Sequence, residues 1–489
     1  MINRPATRGY PFDLLRLPGV QTLVNWRYAR LILQLPLLLL ALLAVYDGFT
    51  GSPLAGRNVA TVSVWVHYRG MTALVLALFG NLFCAGCPLL LTRGASRWLR
   101  RVLPQLSWPR FLRNKYLTLG LTVEFLFCYE AFALWSSPWL TAWLIIGYFA
   151  AALLTDSLFP VGTFCRYVCP LGNFNFALSG ASPTIIQARD TRVCASCTGK
   201  YCVNGRETTA EGTLDLTGLQ TLPMLQTAPV AVEASQGTFP GCETRLYVPT
   251  ITGNQDCTLC LNCVRACPHD NVALVVRNPL RQALTDRPRP DLALLLTLLA
   301  WAGVLNAFAM TPSYFLLAQW LSGVLHTRNA PLLLALILLG GLGTGTGLSL
   351  LVTHLGRTSL RQTAPLLVPL ALALWGGHYL YHFLLGASTL WPAMAHALMR
   401  LGIPLLSPAA PTIPRADQTF WLQLVLCEAA LGGTVWATIQ RFKTITDLST
   451  TGSRRTPNGG PSLVLALFYT ALSIWIFAQP MQARIGLLT

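Results

Sequence analysis

The sequence predicts a mainly α, polytopic helical membrane protein of about nine spans, with one cysteine-rich domain inserted between the fourth and fifth. Three observations carry that expectation. The 489 residues are 53% hydrophobic and only 11% charged, with a mean hydropathy of +0.51, unlike an ordinary soluble enzyme. Apolar runs recur at lengths near the ~20 residues that cross a bilayer. Eight of the fourteen cysteines fall in one polar stretch, about 183–290.

The spans are expected at 31–47, 64–83, 116–135, 139–160, 291–310, 331–353, 365–386, 419–440 and 462–478. The first follows Arg4, Arg8, Arg16, Arg27 and Arg30. No small-residue cleavage site follows it, which favours a retained helix over a removed signal peptide. Arg93, Arg97, Arg100, Arg101, Arg110, Arg113 and Lys115 follow the second span, and Arg441, Lys443, Arg454 and Arg455 precede the ninth. The opposite loops hold only Arg57, Arg328, Arg400 and Arg415. That bias predicts a cytoplasmic N-terminus and an external C-terminus. It also explains the net charge of +17 better than nucleic-acid binding does, so lipid, not nucleic acid, is the expected surrounding.

Three regions follow. Residues 1–182 form an N-terminal membrane domain of two duplicated hairpins. NLFCAGCPLL ends the second span and GTFCRYVCPLG ends the fourth, so each hairpin delivers a Cys-Pro element to one surface. Residues 183–290 form the cytoplasmic domain, where thiols stay reduced. Residues 291–489 form a C-terminal membrane domain of about five helices.

CTLCLNCVRACP (257–268) has the C-x2-C-x2-C-x3-C-P spacing of ferredoxins that hold iron–sulfur clusters. In two-cluster ferredoxins the cysteine before proline ligates the other cluster. The second trio is Cys194, Cys197 and Cys202, and Cys242 is the remaining thiol. The expected sets are Cys194, Cys197, Cys202 and Cys267 for one [4Fe–4S] cluster, and Cys242, Cys257, Cys260 and Cys263 for the other. Zinc also takes four thiolates, but the third close cysteine followed by C-P favours iron–sulfur. The Thr-rich run from Val203 to Gly241 reads as a surface loop interrupting the second motif. His269 reads as solvent-facing.

Cys84, Cys87, Cys165 and Cys169 admit three readings: ligands of a third iron–sulfur cluster, a site for another metal, or a redox-active dithiol. Packing cysteines are the plain alternative, against which the repeated C-P element argues.

FCAGCPLL (83–90), FCRYVCPLG (164–172) and CTLCLNCVRACP together resemble the polyferredoxin-like bacterial inner-membrane iron–sulfur proteins of the NapH/NosR/CcoG group, over about residues 64–275. The resemblance implies a bacterial inner membrane, electron transfer between the quinone pool and other redox proteins, or a part in metal-centre maturation. Two departures stand out: the first element has C-x2-C-P, and five further spans replace an extracytoplasmic domain.

The C-terminal half carries WGGHYLYHFL, with His378 and His382 four apart on one helix face. A b-type haem, a quinone site handling protons with Glu428 at a similar depth, and a plain interhelical hydrogen-bonded pair are the three readings. His326 and His396 flank the outer surface and His354 the inner end of the sixth span. Nearer the N-terminus, His67 and Arg69 match the depth of Glu130, with Glu124 deeper; a buried ion pair is the plain reading and a proton or quinol site the other. Cys128 and Cys427 read as packing residues, and GGLGTGTG (340–347) as a close helix contact rather than a nucleotide loop.

The function expected is a membrane-bound iron–sulfur electron-transfer component. It would link a cytoplasmic electron carrier to the quinone pool or a partner membrane redox complex. The alternative is an assembly factor that reduces a metal or thiol for a respiratory complex.

Overall fold

A computed structural model describes residues 12–26, 28–208, 237–285, 288–407, 417–449 and 458–482. Nine long helices appear among them where apolar runs were expected. They are α1 (Ala29–Thr50), α2 (Val59–Phe79, with a π-helical stretch Val62–Tyr68), α3 (Tyr116–Ala131), α4 (Pro138–Leu158), α5 (Pro290–Phe308), α6 (Ala330–Leu355), α7 (Leu360–Gly386), α8 (Asp417–Ser449) and α9 (Gly460–Phe477). Local sequence sets their starts. Ser137 accepts from Leu140 N ahead of Pro138 in α4, and Asn329 accepts from Leu332 N in α6, satisfying orphan N–H groups. Ser359 and Gln362 close a capping box on α7.

Eight of these segments are long and apolar enough to cross a bilayer. The ninth expected span, 116–135, falls short. Its helix α3 has 16 residues, ~24 Å at ~1.5 Å per residue. It stops where Ala133 turns left-handed (φ 42°) into the 3-10 turn Leu134–Ser136.

Burial sorts the spans. Only 11% of the most apolar 18-residue stretch of α1 is buried, against 83% of that in the segment containing α7, so α7 is the central helix and α1 lies at the rim. Around α7 pack α2, α5, α8 and α9. Their shared core includes Leu76, Trp301, Leu374, Trp375, Tyr469 and Ile476. The glycine run in α6 is a close contact at two points. A Cβ at Gly341 would meet Leu305 and one at Gly345 would meet Trp301, at 2.5 and 2.3 Å. Exposed Trp26, Tyr28, Trp98, Phe111 and Tyr116 ring one end of the bundle, and Trp139, Trp320, Trp391 and Trp421 the other. Membrane interfaces favour such belts.

Outside the bundle, β1 (Thr184–Ala188) pairs antiparallel with β4 (Val272–Val276), Ile186 facing Leu274. β2 (Arg206–Thr208) pairs with β3 (Gly237–Phe239). Leu15, Ile186, Val248, Val264 and Val272 make a small core there. The N-terminal residues join it, with Asp13 held by Arg189 at 3.0 Å.

Gly345→Leu should therefore separate α6 from α5 and lower the melting temperature in detergent by several degrees, since overpacking costs ~1–3 kcal/mol. Gly343→Ala, where a Cβ meets open space, should leave it unchanged.

A cysteine site at one end of the helix bundle

Twelve of the fourteen thiols gather at the end of the bundle that carries the short strands. They form three groups of four. Cys194, Cys197, Cys202 and Cys267 line one pocket, together with Tyr247, His269 and Asn271. Asn271 donates from Nδ2 to Cys194 Sγ at 3.2 Å and from its backbone N to Cys267 Sγ at 3.5 Å. His269 is exposed at the rim.

The second group is Cys242, Cys257, Cys260 and Cys263, each within electrostatic reach of the others. Leu246 N donates to Cys242 Sγ at 3.2 Å. The backbone N–H groups of Leu259 and Asn262 turn toward Cys257 and Cys260. This wrapping requires strain. Asp256, Leu259 and Leu261 have φ of 61°, 52° and 58°, a region that costs a residue with a Cβ ~1–2 kcal/mol.

Cys84, Cys87, Cys165 and Cys169 make the third group. Pro88 and Pro170 each start a helix at N1 just after the second cysteine. Gly172 N donates to Cys169 Sγ at 3.2 Å, and Asn175 Nδ2 to Cys84 Sγ at 3.6 Å. The unequal spacings of the two elements are reconciled locally. Cys165 lies in a π-turn, Phe164–Val168, closed by Cys169 N donating to Phe164 O at 2.8 Å. A π-turn holds one residue more than an α-turn, which absorbs the extra residue of C-x3-C.

The long run after Cys202 is looped out. The β2–β3 stem brings Cys242 N to 2.8 Å from Cys202 O, so the fourth thiol returns beside the third. Residues 209–236, most of the expected surface loop, lie outside the described residues.

The groups stand in series. Cys202 faces Cys242 and Cys263 across the first junction, and Cys84 faces Cys257 across the second.

Buried ion pairs fasten this series to the bundle. Asp256, one residue before Cys257, takes Lys115 Nζ at 2.5 Å and Arg166 Nε at 3.3 Å. The same Nζ donates to Arg166 O and Asn173 Oδ1, both at 2.7 Å. Glu243, one residue after Cys242, pairs with Arg30 and, at 3.0 Å, with Arg93. Arg93 also reaches Asp156 at 3.3 Å and lies 3.9 Å from Cys165 Sγ. Sequence reading placed Arg93 and Lys115 among basic loop charges and passed over Glu243 and Asp256. The available signal was an acid directly beside a cysteine in each loop.

Burial pushes the Glu243 carboxyl up, but Arg93 and Arg30 outweigh it and hold the group below its ordinary value. Burial pulls the Lys115 ammonium down, opposed by Asp256. Burial pushes the thiols of Cys87 and Cys260 up to about 11, and those of Cys169 and Cys257 to about 12.

Among the described residues, no three His, Cys, Asp or Glu side chains converge as they would on a single ion.

The membrane histidines are placed differently. His378 and His382 are buried, with ring centroids 5.1 Å apart, and His382 Nε2 lies 3.3 Å from Met310 Sδ. Glu428 is exposed on α8, so it faces away from them. Arg69 is buried beneath the rings of Trp65, Tyr129 and Tyr379 in place of the expected pairing with Glu130. His67 bridges Val62 O and Ala387 O. Cys427 packs in the main core, and Cys128 is half-buried on α3.

Fold and site together define a class: a polytopic α-helical chain of membrane type with a cysteine-rich assembly fastened to one end. No family model, curated protein or solved structure matches it, so no family is assigned.

Lys115→Met should leave Asp256 with Arg166 alone and cost up to ~3–5 kcal/mol, the usual loss when one partner of a buried pair is removed. Adding Asp256→Asn should recover part of that loss in the melting temperature. The Glu243 clamp has a pH signature. A carboxyl held below its ordinary ~4.3 contributes stability above that pH and loses it as pH falls through the lower folded value. Melting temperature should thus lose this contribution only below about pH 4, and Glu243→Gln should abolish that component.

Proposed function

We propose that this chain is a membrane-bound iron–sulfur electron-transfer protein. It would link a carrier at its cysteine-bearing end to the quinone pool or to a partner membrane redox complex. The observation that carries this reading is the serial grouping of twelve cysteines into three fours. The donor chemistry fits iron–sulfur clusters: all-thiolate sets with N–H groups turned toward sulfur, which tune such centres.

When bound, clusters supply one-electron redox chemistry. The chain supplies the rest. Its first group is reachable from a solvent-lined pocket, where a soluble carrier can dock. Its second is enclosed between clamped loops. Its third sits where two membrane hairpins end, nearest to lipid-dissolved partners. Basic loops on this side, Arg97, Arg100 and Arg101 among them, favour a cytoplasmic placement in a bacterial inner membrane.

The alternative, an assembly factor reducing a metal or thiol, draws on one feature. The two Cys-Pro elements set Cys87 and Cys169 beside each other, the arrangement a thiol pair needs.

Iron, acid-labile sulfide and free-thiol content of anaerobically purified protein, with EPR after reduction, tests both. About twelve irons and sulfides are expected for three four-iron clusters, and Cys263→Ala should lose about four of each. About eight, with titratable thiols at Cys84, Cys87, Cys165 and Cys169, would favour the assembly reading for the third group. Zinc without iron, after failed reconstitution, would sink electron transfer.

A further inference from the structure

Between α2 and α3, residues 93–115 carry seven cations and no acid. Three of the cations are turned inward. Arg93 and Lys115, at the two ends, clamp Glu243 and Asp256. Arg100 Nη1 donates to Asp156 O and Phe159 O, at 3.4 and 2.5 Å. Leu106 N donates to Leu158 O at 2.9 Å, and Trp108 stacks on Tyr167. The segment is thus a strap laid across the thiol-bearing end of α4.

Its outer face is built differently. The short helix Arg93–Leu99 runs on into a turn, with Arg101 N to Trp98 O at 3.1 Å and Leu103 N to Leu99 O at 2.8 Å. Helical spacing then sets two faces. Ser96, Arg100 and Leu103 lie on the face toward α4, where Ser96 is fully buried and donates to Leu153 O. Arg97, Trp98, Arg101 and Val102 lie on the other and are all exposed. Arg110 and Phe111 repeat the pairing of an exposed cation with an exposed apolar side chain. Trp98, Val102 and Phe111 are 63%, 78% and 76% exposed. Among the described residues, none of Arg97, Arg101 and Arg110 pairs with a carboxylate.

We propose that this strap binds the phosphate groups of anionic phospholipids, with Trp98, Val102 and Phe111 set into the boundary between headgroups and acyl chains. Arginine forks match phosphate oxygens, and a cationic face carrying aromatic and aliphatic side chains suits the bilayer interface. Inorganic phosphate and nucleic acid share the phosphate but bring no apolar layer for those three side chains. Zwitterionic phospholipid brings the layer without net charge. No cysteine takes part, so the proposal stands apart from the electron-transfer reading.

The test uses the full chain in phosphatidylcholine nanodiscs that carry a trace of photoactivatable phosphatidylglycerol. Crosslinks are mapped by peptide mass spectrometry at fixed ionic strength. They are expected on peptides bearing Trp98 or Phe111, competed by unlabelled phosphatidylglycerol in the disc and not by inorganic phosphate or a short oligonucleotide. Arg97→Gln, Arg101→Gln and Arg110→Gln should each raise the phosphatidylglycerol fraction for half-maximal competition about fivefold, and lysine at the same positions should keep it near the wild-type value. Arg57→Gln and Arg328→Gln, exposed at the other end of the bundle, should leave it unchanged. Crosslinks confined to other segments would overturn the proposal, as would competition unchanged in all three strap variants. Inorganic phosphate or oligonucleotide competing as well as phosphatidylglycerol would make the strap a site for soluble anions and overturn it too. The crosslink map is read on the wild-type chain, so a variant that fails to fold leaves the test standing.

Discussion

Two carboxylates beside cysteines hold the cysteine-bearing end of this molecule together. Asp256 and Glu243 flank the second thiol group, and both are clamped by cations that belong to the membrane hairpins. A buried pair of this kind adds little net stability over apolar packing, since desolvation offsets attraction. Its value lies in register. An acid next to a cysteine can be satisfied only if its loop sits where Lys115 and Arg166, or Arg30 and Arg93, converge. The thiols are carried to position by a charge match that hydrophobic contacts could not specify at a membrane surface.

The same logic explains where backbone strain collects. Lys200, Arg245, Asp256, Leu259, Leu261 and Asp270 all have positive φ, and all lie in the cysteine loops. Left-handed residues turn successive N–H groups toward one point, a concavity suited to anions. Leucine is a poor residue for that conformation, so the surrounding packing must hold it there. Val248, Val264 and Val272 supply that packing from the small core beside β1 and β4. The strain and the ion pairs act on the same loops, one shaping them and the other fixing them to the bundle.

The third group shows how two Cys-Pro elements of unequal spacing reach one place. One hairpin presents C-x2-C-P and the other C-x3-C-P. The added residue is taken up in a π-turn before Cys169, and both prolines still start helices at equivalent points. Likewise the long run after Cys202 leaves the site intact because an antiparallel stem returns the chain to its point of departure. Both irregularities looked in the sequence like threats to the ligand sets. Locally each is an insertion whose ends meet.

Sequence alone determined the elements that depend on local chemistry. Long apolar runs specify helices wherever they occur, so their number and order were readable. The length of α3 was not, because its end is set by a left-handed Ala133 rather than by loss of hydrophobicity. Tertiary structure decided what rests on partners distant in the chain. Lys115 meets Asp256 across 141 residues and Arg30 meets Glu243 across 213, separations at which a charge in a loop carries no mark of its mate. Arg69 likewise found aromatic faces from three helices instead of a carboxylate. Periodicity and spacing act within a few turns of chain, whereas ion pairing and aromatic caging depend on which helices become neighbours.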